Sequence, residues 1–283
     1  MVLLDFSQSA ISAVMIQTKM QKKLDEGMIR HILLNSLRQN RVKFNKEYGE
    51  LILCADSKDH WRRDVFPYYK ANRKKAREAS VIDWKEVFTI LDTIQKELIE
   101  VFPYKFIKLP GAEGDDIIGT LVKHNYREKN LILSSDKDFI QLQKYPNVFQ
   151  YDMVRSKWIK DKNPELFLRE HIIRGDSGDG VPNMLSDNDA LANPEKKQKS
   201  IMQKNLDIWL KDSEDVFYNN LTEDQQSNYS RNKMLIDLDK IPDHITEKII
   251  EEYRKPVVGN RSKILSYMIK YRLKELTKCL SDF

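Results

Sequence analysis

Glycine and cysteine are both scarce in this chain, and each shortage excludes a class of site. Nine glycines among 283 residues form no glycine-rich loop of the kind that holds a nucleotide phosphate. The two cysteines, Cys54 and Cys279, have no CxxC spacing, so we interpret them as buried thiols of a reducing cytoplasm rather than as a zinc site or a disulfide.

Membrane and export signals are lacking as well. No apolar run approaches the roughly 18 residues of a membrane span. The first five residues include Asp5 and no basic region, unlike a signal peptide. Hydrophobic residues make up 41% and charged residues 32% of the chain, and repeats are absent. These features predict a globular protein of the cytoplasm.

Short apolar runs alternate with amphipathic helical patterns in the first half of the chain. The predicted strands are Val2 to Asp5, Leu51 to Ala55, Tyr104 to Leu109, Leu131 to Ser134 and, as the last strand, Val148 to Tyr151. The predicted helices between them cover 26–47, 83–101 and the stretch from Glu113 to Val122. This alternation predicts an α/β fold with a mostly parallel sheet flanked by helices.

The second half follows a helical pattern. It includes a predicted helix from Ile264 to Leu280 and a polar, irregular stretch at 186–200. We therefore expect a catalytic α/β domain at 1–152 and a helical DNA-binding region at 153–283.

Aspartates and a glutamate follow the predicted strands at their carboxyl ends. A turn or a helix cap is the structural explanation for any one of them, but their number favours a shared site. Since the carboxyl ends of parallel strands meet at one edge, most of these side chains should converge there. The candidate metal ligands are Asp5, Asp56, Glu113, Asp115, Asp116, Asp136 and Asp138, with Asp176 and Asp179 from a Gly- and Pro-containing loop.

So many carboxylates require counter-charge, and oxygen ligands alone select Mg²⁺ or Mn²⁺ over zinc. We expect two or more ions. None of the five histidines accompanies the acids in a metal-ligand spacing, so each is interpreted as a surface or core residue.

The net charge of +5 is mild, but the basic residues are concentrated. Residues 58–79 hold eight lysines and arginines against three acids, mixed with aromatic side chains, and residues 253–278 hold eight against one. Such a mixture suits contact with nucleic acid phosphates and bases. An acidic, metal-binding edge between basic surfaces indicates a phosphodiester-cleaving enzyme, with Lys70 placed to stabilise the phosphate in the transition state.

Five short motifs occur in the order found in a known family. They are Asp5-Phe-Ser, Tyr69-Lys70-x-x-Arg73, Glu113-x-Asp115-Asp116, Ser135-Asp136-x-Asp138 and Gly175-Asp176-Ser-x-Asp179-x-Val-Pro182. Together they resemble the flap-endonuclease family of structure-specific 5′ nucleases. Within it, Trp61-Arg-Arg and the region Ile264 to Phe283 are most similar to the ribonuclease H group of T-even bacteriophages.

The resemblance implies a Mg²⁺-dependent 5′ to 3′ exonuclease and flap endonuclease that acts on nicked, flapped or 5′-ended DNA·DNA and RNA·DNA duplexes and removes primers from lagging-strand fragments. The resemblance also implies that the nine carboxylates named above are metal ligands, with Asp176 and Asp179 in a second, outer metal site. It implies that Lys70 and Arg73 contact the scissile phosphate. Segment 57–82, named here the arch segment, would let a 5′ single strand pass. The expected nucleic-acid contacts are Arg62, Arg63, Tyr69, Lys74, Arg77, Lys196, Lys197, Lys199, Arg261 and Lys263.

The chain departs from the family pattern after Pro182. A glycine-rich hairpin that holds duplex phosphates is expected there, but Asn183 to Asn193 lacks those glycines. Duplex contact is therefore expected from the lysines at 196–199 and from the basic carboxyl-terminal helix. The family also implies a single-strand-binding protein as partner, a monomer, and the cytoplasm of a bacterial host. Because the chain begins at its first strand, a clamp-binding amino-terminal tail is not expected.

Three other interpretations are weaker. A haloacid-dehalogenase-type phosphatase needs Asp-x-Asp on its first strand, whereas Ser7 occupies the second position. A non-catalytic replication accessory protein would not need nine carboxylates. A small PIN-type ribonuclease would lack the arch segment and the helical second half.

Overall fold

A six-stranded sheet forms the centre of the molecule, as seen in a computed structural model that describes residues 1–21 and 23–283. The strand order across the sheet is β3-β2-β1-β4-β5-β6, and only the β5–β6 pair is antiparallel. The strands are β1 (Val2–Asp5), β2 (Leu51–Ala55), β3 (Lys105–Lys108), β4 (Asn130–Leu133), β5 (Val148–Asp152) and β6 (Lys157–Ile159).

Helices cover both faces of the sheet and form the second half of the described chain. The α-helices are α1 (Phe6–Met20), α2 (Glu26–Tyr48), α3 (Arg62–Val65), α4 (Ala71–Glu78), α5 (Trp84–Val101), α6 (Gly114–His124), α7 (Pro164–Arg174), α8 (Gln203–Trp209), α9 (Glu214–Asn219), α10 (Glu223–Ile236), α11 (Asp243–Arg254), α12 (Ile264–Lys270) and α13 (Lys274–Thr277). Short 3₁₀ helices lie at Lys137–Lys144, Leu238–Lys240, Arg261–Lys263 and Leu280–Asp282.

The central strands are apolar throughout because both of their faces are buried, as is usual in parallel sheets. Successive side chains point to opposite faces. Val2 and Leu4 therefore pack with α1, α2 and α5 on one face, together with Ile264 of the carboxyl-terminal region. Leu3 packs with α6 and α11 on the other face.

The sheet order changes direction at β1, which lies between β2 and β4. In an open α/β sheet, this arrangement leaves a crevice beyond the carboxyl ends of the two diverging strands. Asp5 ends β1, and Ser134 follows β4 at the same edge. The topology therefore places the candidate site where the sequence predicted it.

The arch segment is held at both ends by different parts of the core. Near its start, Phe66 and Tyr69 are buried in a third apolar cluster with residues of α7 and α10. At its other end, Ile82 and the adjacent Trp84 pack against the cluster that α1, α2 and α5 form on the sheet. Between these anchors, α4 has no buried residue.

The structure corrects two secondary-structure predictions. Val148–Asp152 is not the last strand, because β6 follows and pairs antiparallel with it. The helix predicted from Ile264 to Leu280 is divided into α12, α13 and a 3₁₀ turn, and Arg272 between them has a left-handed φ of 55°. No helix in the described ranges is both long enough and apolar enough for a membrane span.

Candidate active site

Asp5 lies at the end of β1 and performs two local functions. Its Oδ1 accepts a hydrogen bond from Gln8 N at 2.9 Å, which caps α1, and its Oδ2 accepts one from Ser134 Oγ at 3.1 Å. The capping function considered from the sequence is therefore real. It leaves the carboxylate at the sheet edge, where it faces other acids.

Asp56 and Asp115 reach the same edge from β2 and from the first turn of α6. Gly114 N donates to Asp56 Oδ1 at 2.7 Å. A Cβ atom at Gly114 would lie 3.2 Å from that oxygen and 3.3 Å from the carbonyl oxygen of Cys54. Glycine therefore allows α6 to begin directly against the end of β2 and places Asp115 beside Asp56.

Asp136 completes a group with Asp5, Asp56 and Asp115, named here the inner cluster. Burial, followed by the charges of Asp56 and Asp136, raises the pKa of Asp5 to about 7. Burial, then Asp136 and Asp5, raise the pKa of Asp115 well above its ordinary range. The four carboxylates thus act on one another as like charges without enough counter-charge.

A second group, named here the outer cluster, consists of Asp138, Asp176 and Asp179. Burial, Asp136 and Asp176 raise the pKa of Asp138. The three carboxylates share the wall of one small pocket with Asp115. The Asp136-x-Asp138 spacing therefore extends the acidic site from the sheet edge to the loop after α7.

His171 joins this outer cluster, contrary to the interpretation of all five histidines as surface or core residues. Its Nδ1 lies 3.5 Å from Asp138 Oδ1 and its Nε2 lies 3.8 Å from Asp176 Oδ2. No metal-ligand spacing is recognisable in the sequence at this point, because Asp138 is 33 positions from His171 and approaches it only through the tertiary fold. The five-residue separation from Asp176 was the one local signal.

Glu113 and Asp116 differ from the other predicted ligands, because both are buried and paired with basic side chains. Asp116 is fully buried, and its oxygens contact Arg62 Nη1 at 2.8 Å, Trp61 Nε1 at 3.2 Å and Glu113 N at 2.9 Å. Glu113 Oε2 accepts from Arg62 Nη1 at 3.0 Å. Burial alone would raise the pKa of Glu113, but Lys70, Arg62 and His60 together lower it to about 2.

Two predicted nucleic-acid contacts, Arg62 and Tyr69, are also buried. Arg62 is 2% exposed and donates to Leu235 O of α10 in addition to the two acids. Tyr69 is 4% exposed, and its Oη lies 3.0 Å from Glu113 Oε2 and 2.7 Å from Asp179 Oδ2. Both residues therefore connect the arch segment to the acidic site from inside the protein.

Lys70 and Arg73 lie at the boundary between the arch segment and the acids. The Lys70 ammonium contacts Glu113 and lies 3.4 Å from Asp179 Oδ2, while Arg73 pairs with Asp179. Burial lowers the pKa of Lys70, but the charges of Asp179 and Glu113 raise it by more. The net pKa lies above its ordinary value, so the group is charged at neutral pH. Lys70 precedes α4 rather than lying within it.

The other predicted nucleic-acid contacts are on or near the surface. Lys196 pairs with Asp187 at 3.2 Å and with Asp189 at 2.7 Å, which partly neutralises it. Arg77 is half-buried. The exposed ones are Arg63, Lys74, Lys196, Lys197, Lys199, Arg261 and Lys263.

The inner and outer clusters have the donor chemistry of a divalent-cation site. In the inner cluster, no lysine or arginine of the described chain pairs with a carboxylate, and the pKa of Asp5 is raised by its like-charged neighbours. Hard cations with oxygen ligands would remove this repulsion. Among described residues, only Asp138, His171 and Asp176 place ligand atoms within 4.8 Å of one another.

Comparison with known proteins identifies the family. A model described as "5′-3′ exonuclease, N-terminal resolvase-like domain" matches residues 9–170, and one described as "T4 RNase H, C terminal" matches 162–283. Ribonuclease H of Enterobacteria phage T4 is 36% identical over 290 residues, covering 99% of this chain and 95% of that protein. A 5′-3′ exonuclease of Buchnera aphidicola is 31% identical over 153 residues, covering 50% of this chain and 51% of that protein.

Solved structures show the same fold at lower identity. The D15 flap endonuclease of bacteriophage T5, in a complex with DNA and metal ions, superposes with a TM-score of 0.66 at 17% identity, covering 90% of this chain and 99% of that one. A D15 structure co-crystallised with metal ions superposes with a TM-score of 0.66 at 16% identity, covering 89% of this chain and 98% of that one.

Fold and site together define an α/β metal-dependent 5′ nuclease. The chain belongs to the 5′-3′ exonuclease family, with a carboxyl-terminal region of the phage T4 RNase H type. The resemblance and the α/β fold class inferred from the sequence are confirmed. The phosphatase interpretation is wrong.

Proposed function

We propose that this nuclease is a Mg²⁺-dependent 5′ to 3′ exonuclease and flap endonuclease that removes primers from lagging-strand fragments. Its substrates would be 5′-flapped, nicked or 5′-ended DNA·DNA and RNA·DNA duplexes. The observation that supports this most strongly is the inner cluster, where carboxylates from three strand ends and α6 meet beside the arch segment. The relation to phage T4 ribonuclease H supports the replication role.

The two clusters suit two or more cations, Mg²⁺ in the cell with Mn²⁺ as a substitute. Asp5, Asp56, Asp115 and Asp136 would hold one ion, and the outer cluster another. Bound cations would neutralise the scissile phosphate and lower the pKa of a water molecule.

The chain's own basic residues would position the substrate. Lys70, held by Glu113 and Asp179, would exchange these partners for the scissile phosphate, and Arg73 would contact the same phosphate. Arg62 would act indirectly, by holding Glu113 in place to receive Lys70. This division separates residues that touch the nucleic acid from those that support them.

Duplex binding would use the exposed basic residues around the site. We propose that 1–152 acts as the catalytic region and 153–283 as the helical DNA-binding region. The buried contacts of Phe66 and Tyr69 with α7 and α10 would join the two. The enzyme would act as a monomer in the host cytoplasm, with a single-strand-binding protein as partner.

Digestion of an end-labelled 5′-flap duplex, with Mg²⁺ or with EDTA, tests the proposal. We expect short and flap-length products only with Mg²⁺. Asp136→Asn should abolish cleavage while the variant still binds the duplex, because the ion-binding and phosphate-binding groups are different residues. Asp92→Asn on α5, outside both clusters, is the matched control and should cleave normally. Wild-type rates in Asp136→Asn would contradict the site assignment.

A further inference from the structure

The strand β3 lies at one edge of the sheet, and its outer side has no partner strand. Its inner side pairs with β2. Within the described residues, no backbone hydrogen bond joins 105–108 to any segment other than β2. The outward N–H and C=O groups of β3 can therefore pair with another extended chain, as at any open sheet edge.

A groove of about 250 Å³ lies along this open edge. Gln95 and Ile99 of α5 line it, and so do Glu252 of α11 and the residues that follow α11. Because α5 covers one face of the sheet and α11 the other, the groove has one of these helices on each side of β3. Its volume is below the roughly 300–1,000 Å³ of a small-molecule site, so the groove suits an extended chain better than an enclosed ligand.

Residues 256–259, named here the strap, complete the wall on the α11 side. The strap makes no backbone hydrogen bond within the described chain. It is fixed at its end, where Gly259 packs so closely on Phe102 that a Cβ atom would overlap the carbonyl group. Val257 and Val258 are 43% and 71% exposed and give the groove an apolar rim without a partner.

Lysines stand on both faces of the open edge. Successive strand residues point to opposite faces, so Lys105 and Lys108 lie on different sides of β3. The Lys105 ammonium contacts the carbonyl oxygen of Lys255, and no carboxylate of the described chain lies within 4.0 Å of it. The Lys108 ammonium donates to Gln95 Oε1 at 3.0 Å and lies 3.7 Å from the half-exposed Asp92. The positive charge along the groove is therefore only partly balanced.

We propose that the β3 edge is a docking site for an extended, acidic segment of a partner protein, which adds a further strand to the sheet. A row of free backbone N–H and C=O groups is matched by another peptide backbone, whereas a nucleic acid has no such regular row. A second copy is disfavoured, because Lys105 and Lys108 of two β3 strands would repel one another.

The same geometry defines the sequence that the groove would accept. Two acids three residues apart point to opposite faces of a strand, as Lys105 and Lys108 do. Apolar side chains between and beside these acids would contact Ile99 and Val257. This docking site is separate from the nuclease reaction, since neither lysine belongs to the inner or the outer cluster.

Nuclear magnetic resonance of the full chain labelled with ¹⁵N tests the docking site, with the synthetic peptide Thr-Val-Glu-Val-Thr-Asp-Val-Thr as the probe. On addition of the peptide, the amide resonances of 105–108 should shift, and their hydrogen exchange should slow because new backbone hydrogen bonds protect them. A peptide with lysine in place of both acids should bind roughly tenfold more weakly or worse. A peptide with proline at the two central positions should do the same, because proline cannot donate to the ladder.

Variants of the protein test the charges. Lys105→Glu combined with Lys108→Glu should weaken peptide binding by roughly tenfold or more, because like charges would then face each other. Lys162→Glu changes an exposed lysine outside the groove and is the matched control, which should bind as the wild type does. Lys105→Gln combined with Lys108→Gln replaces the charge-reversed variant if circular dichroism shows that the latter is misfolded.

Three results would overturn the inference. Absence of peptide binding would mean that the lysines only protect the edge from pairing. Shifts at 105–108 with oligothymidylate instead of the peptide would make the groove a nucleic-acid contact. Protection of the same amides on raising the protein concentration alone would make it an interface between copies. Failure of the wild type to cleave a flap with Mg²⁺ would overturn the proposed function and leave the peptide result in place.

Discussion

Lys70 has an unusual backbone at a chemically important position. Its φ of 57° and ψ of 17° lie in the left-handed region, which costs a non-glycine residue about 1–2 kcal/mol. Its amide nitrogen donates to Asp179 O at 2.7 Å, and its ammonium contacts two carboxylates. Strain of this kind persists where surrounding contacts fix the residue, and it is common at active sites.

Replacing Lys70 should therefore impair the chemical step. We expect Lys70→Ala to lower the single-turnover cleavage rate on the order of 10²-fold or more, because a positive charge near the transition state is lost. The measurement is flap cleavage at saturating enzyme. Lys74→Ala, which removes an exposed lysine of α4, should weaken duplex binding instead. Equal single-turnover rates for Lys70→Ala and wild type would remove Lys70 from the mechanism.

Arg62 is predicted to contribute to stability rather than to nucleic-acid binding. In Arg62→Met, Glu113 and Asp116 would lose a buried counter-charge, so we expect a loss of about 3–5 kcal/mol in the free energy of unfolding. Urea denaturation measures it. Arg63→Met, at the exposed neighbour, should change stability by no more than about 0.5 kcal/mol. If both variants unfold at the same urea concentration, the buried ion pairs have no net effect.

At the level of single residues, the positions of the acids along the chain are predictable from the sequence, but their orientation is not. Asp115 and Asp116 are adjacent in the first turn of α6, and helical geometry directs them to different sides. Asp115 faces the inner cluster, and Asp116 faces Trp61 and Arg62. Only the position of the arch segment in space distinguishes them, and no local pattern encodes that position.

At the scale of elements, the loop after α7 joins the arch segment to the acids. Gly175 begins this loop with a φ of 68°, and Asp176 and Val181 form an isolated bridge across it. Asp176 Oδ1 accepts from Gly178 N at 2.8 Å, which shapes the turn. The loop places Asp176 beside His171 and Asp179 beside Lys70 and Arg73.

Gly175→Ala should destabilise this loop strongly. A Cβ atom there would lie 2.5 Å from the carbonyl oxygens of Val181 and Pro182. Gly49→Ala is the matched control, because Gly49 also has a positive φ but no atom within 4 Å of its Cβ position. We expect Gly49→Ala to cost about 1–3 kcal/mol and Gly175→Ala about 1–3 kcal/mol more. Thermal unfolding measures the loss in the free energy of unfolding for each variant. Equal losses in the two variants would show that the loop after α7 relaxes to accept the Cβ atom.

The regular elements were predictable where one pattern dominated. β1, β2 and α2 follow from an unbroken apolar run or from helical periodicity, and they lie within one or two residues of the prediction. β6 was missed because its three residues, Lys157–Ile159, carry no alternation and are defined by pairing with β5. The break at Arg272 was missed because the amphipathic pattern continues through it.

At the scale of the whole molecule, stability and metal binding are linked through the inner cluster. The pKa of Asp5 is raised from 3.8 to about 7, so the folded protein retains a proton that the unfolded chain releases in this range. Without metal, this group's contribution to the free energy of unfolding is therefore greatest below pH 4 and decreases as the pH rises towards about 7.

Divalent cations should reverse that loss. We expect added Mg²⁺ to stabilise the protein more at about pH 8 than at about pH 5, since the ion competes with the proton for the same carboxylates. Urea denaturation with Mg²⁺ and with EDTA at the two pH values measures the difference. Asp5→Asn should reduce the pH dependence in EDTA. A Mg²⁺ effect of the same size at both pH values would contradict the linkage.

The two anchors of the arch segment attach its ends to different parts of the protein body. Phe66 and Tyr69 are fixed to the helical region, and Ile82 and Trp84 are fixed to the sheet. The separation of the two ends is therefore set by how the protein body packs, while α4 between them is held by hydrogen bonds from Asn72 to Ser177 O and from Lys75 to Ala192 O. A core substitution far from the acids that shifted one anchor would therefore displace the arch segment relative to the acidic clusters without altering any residue of those clusters.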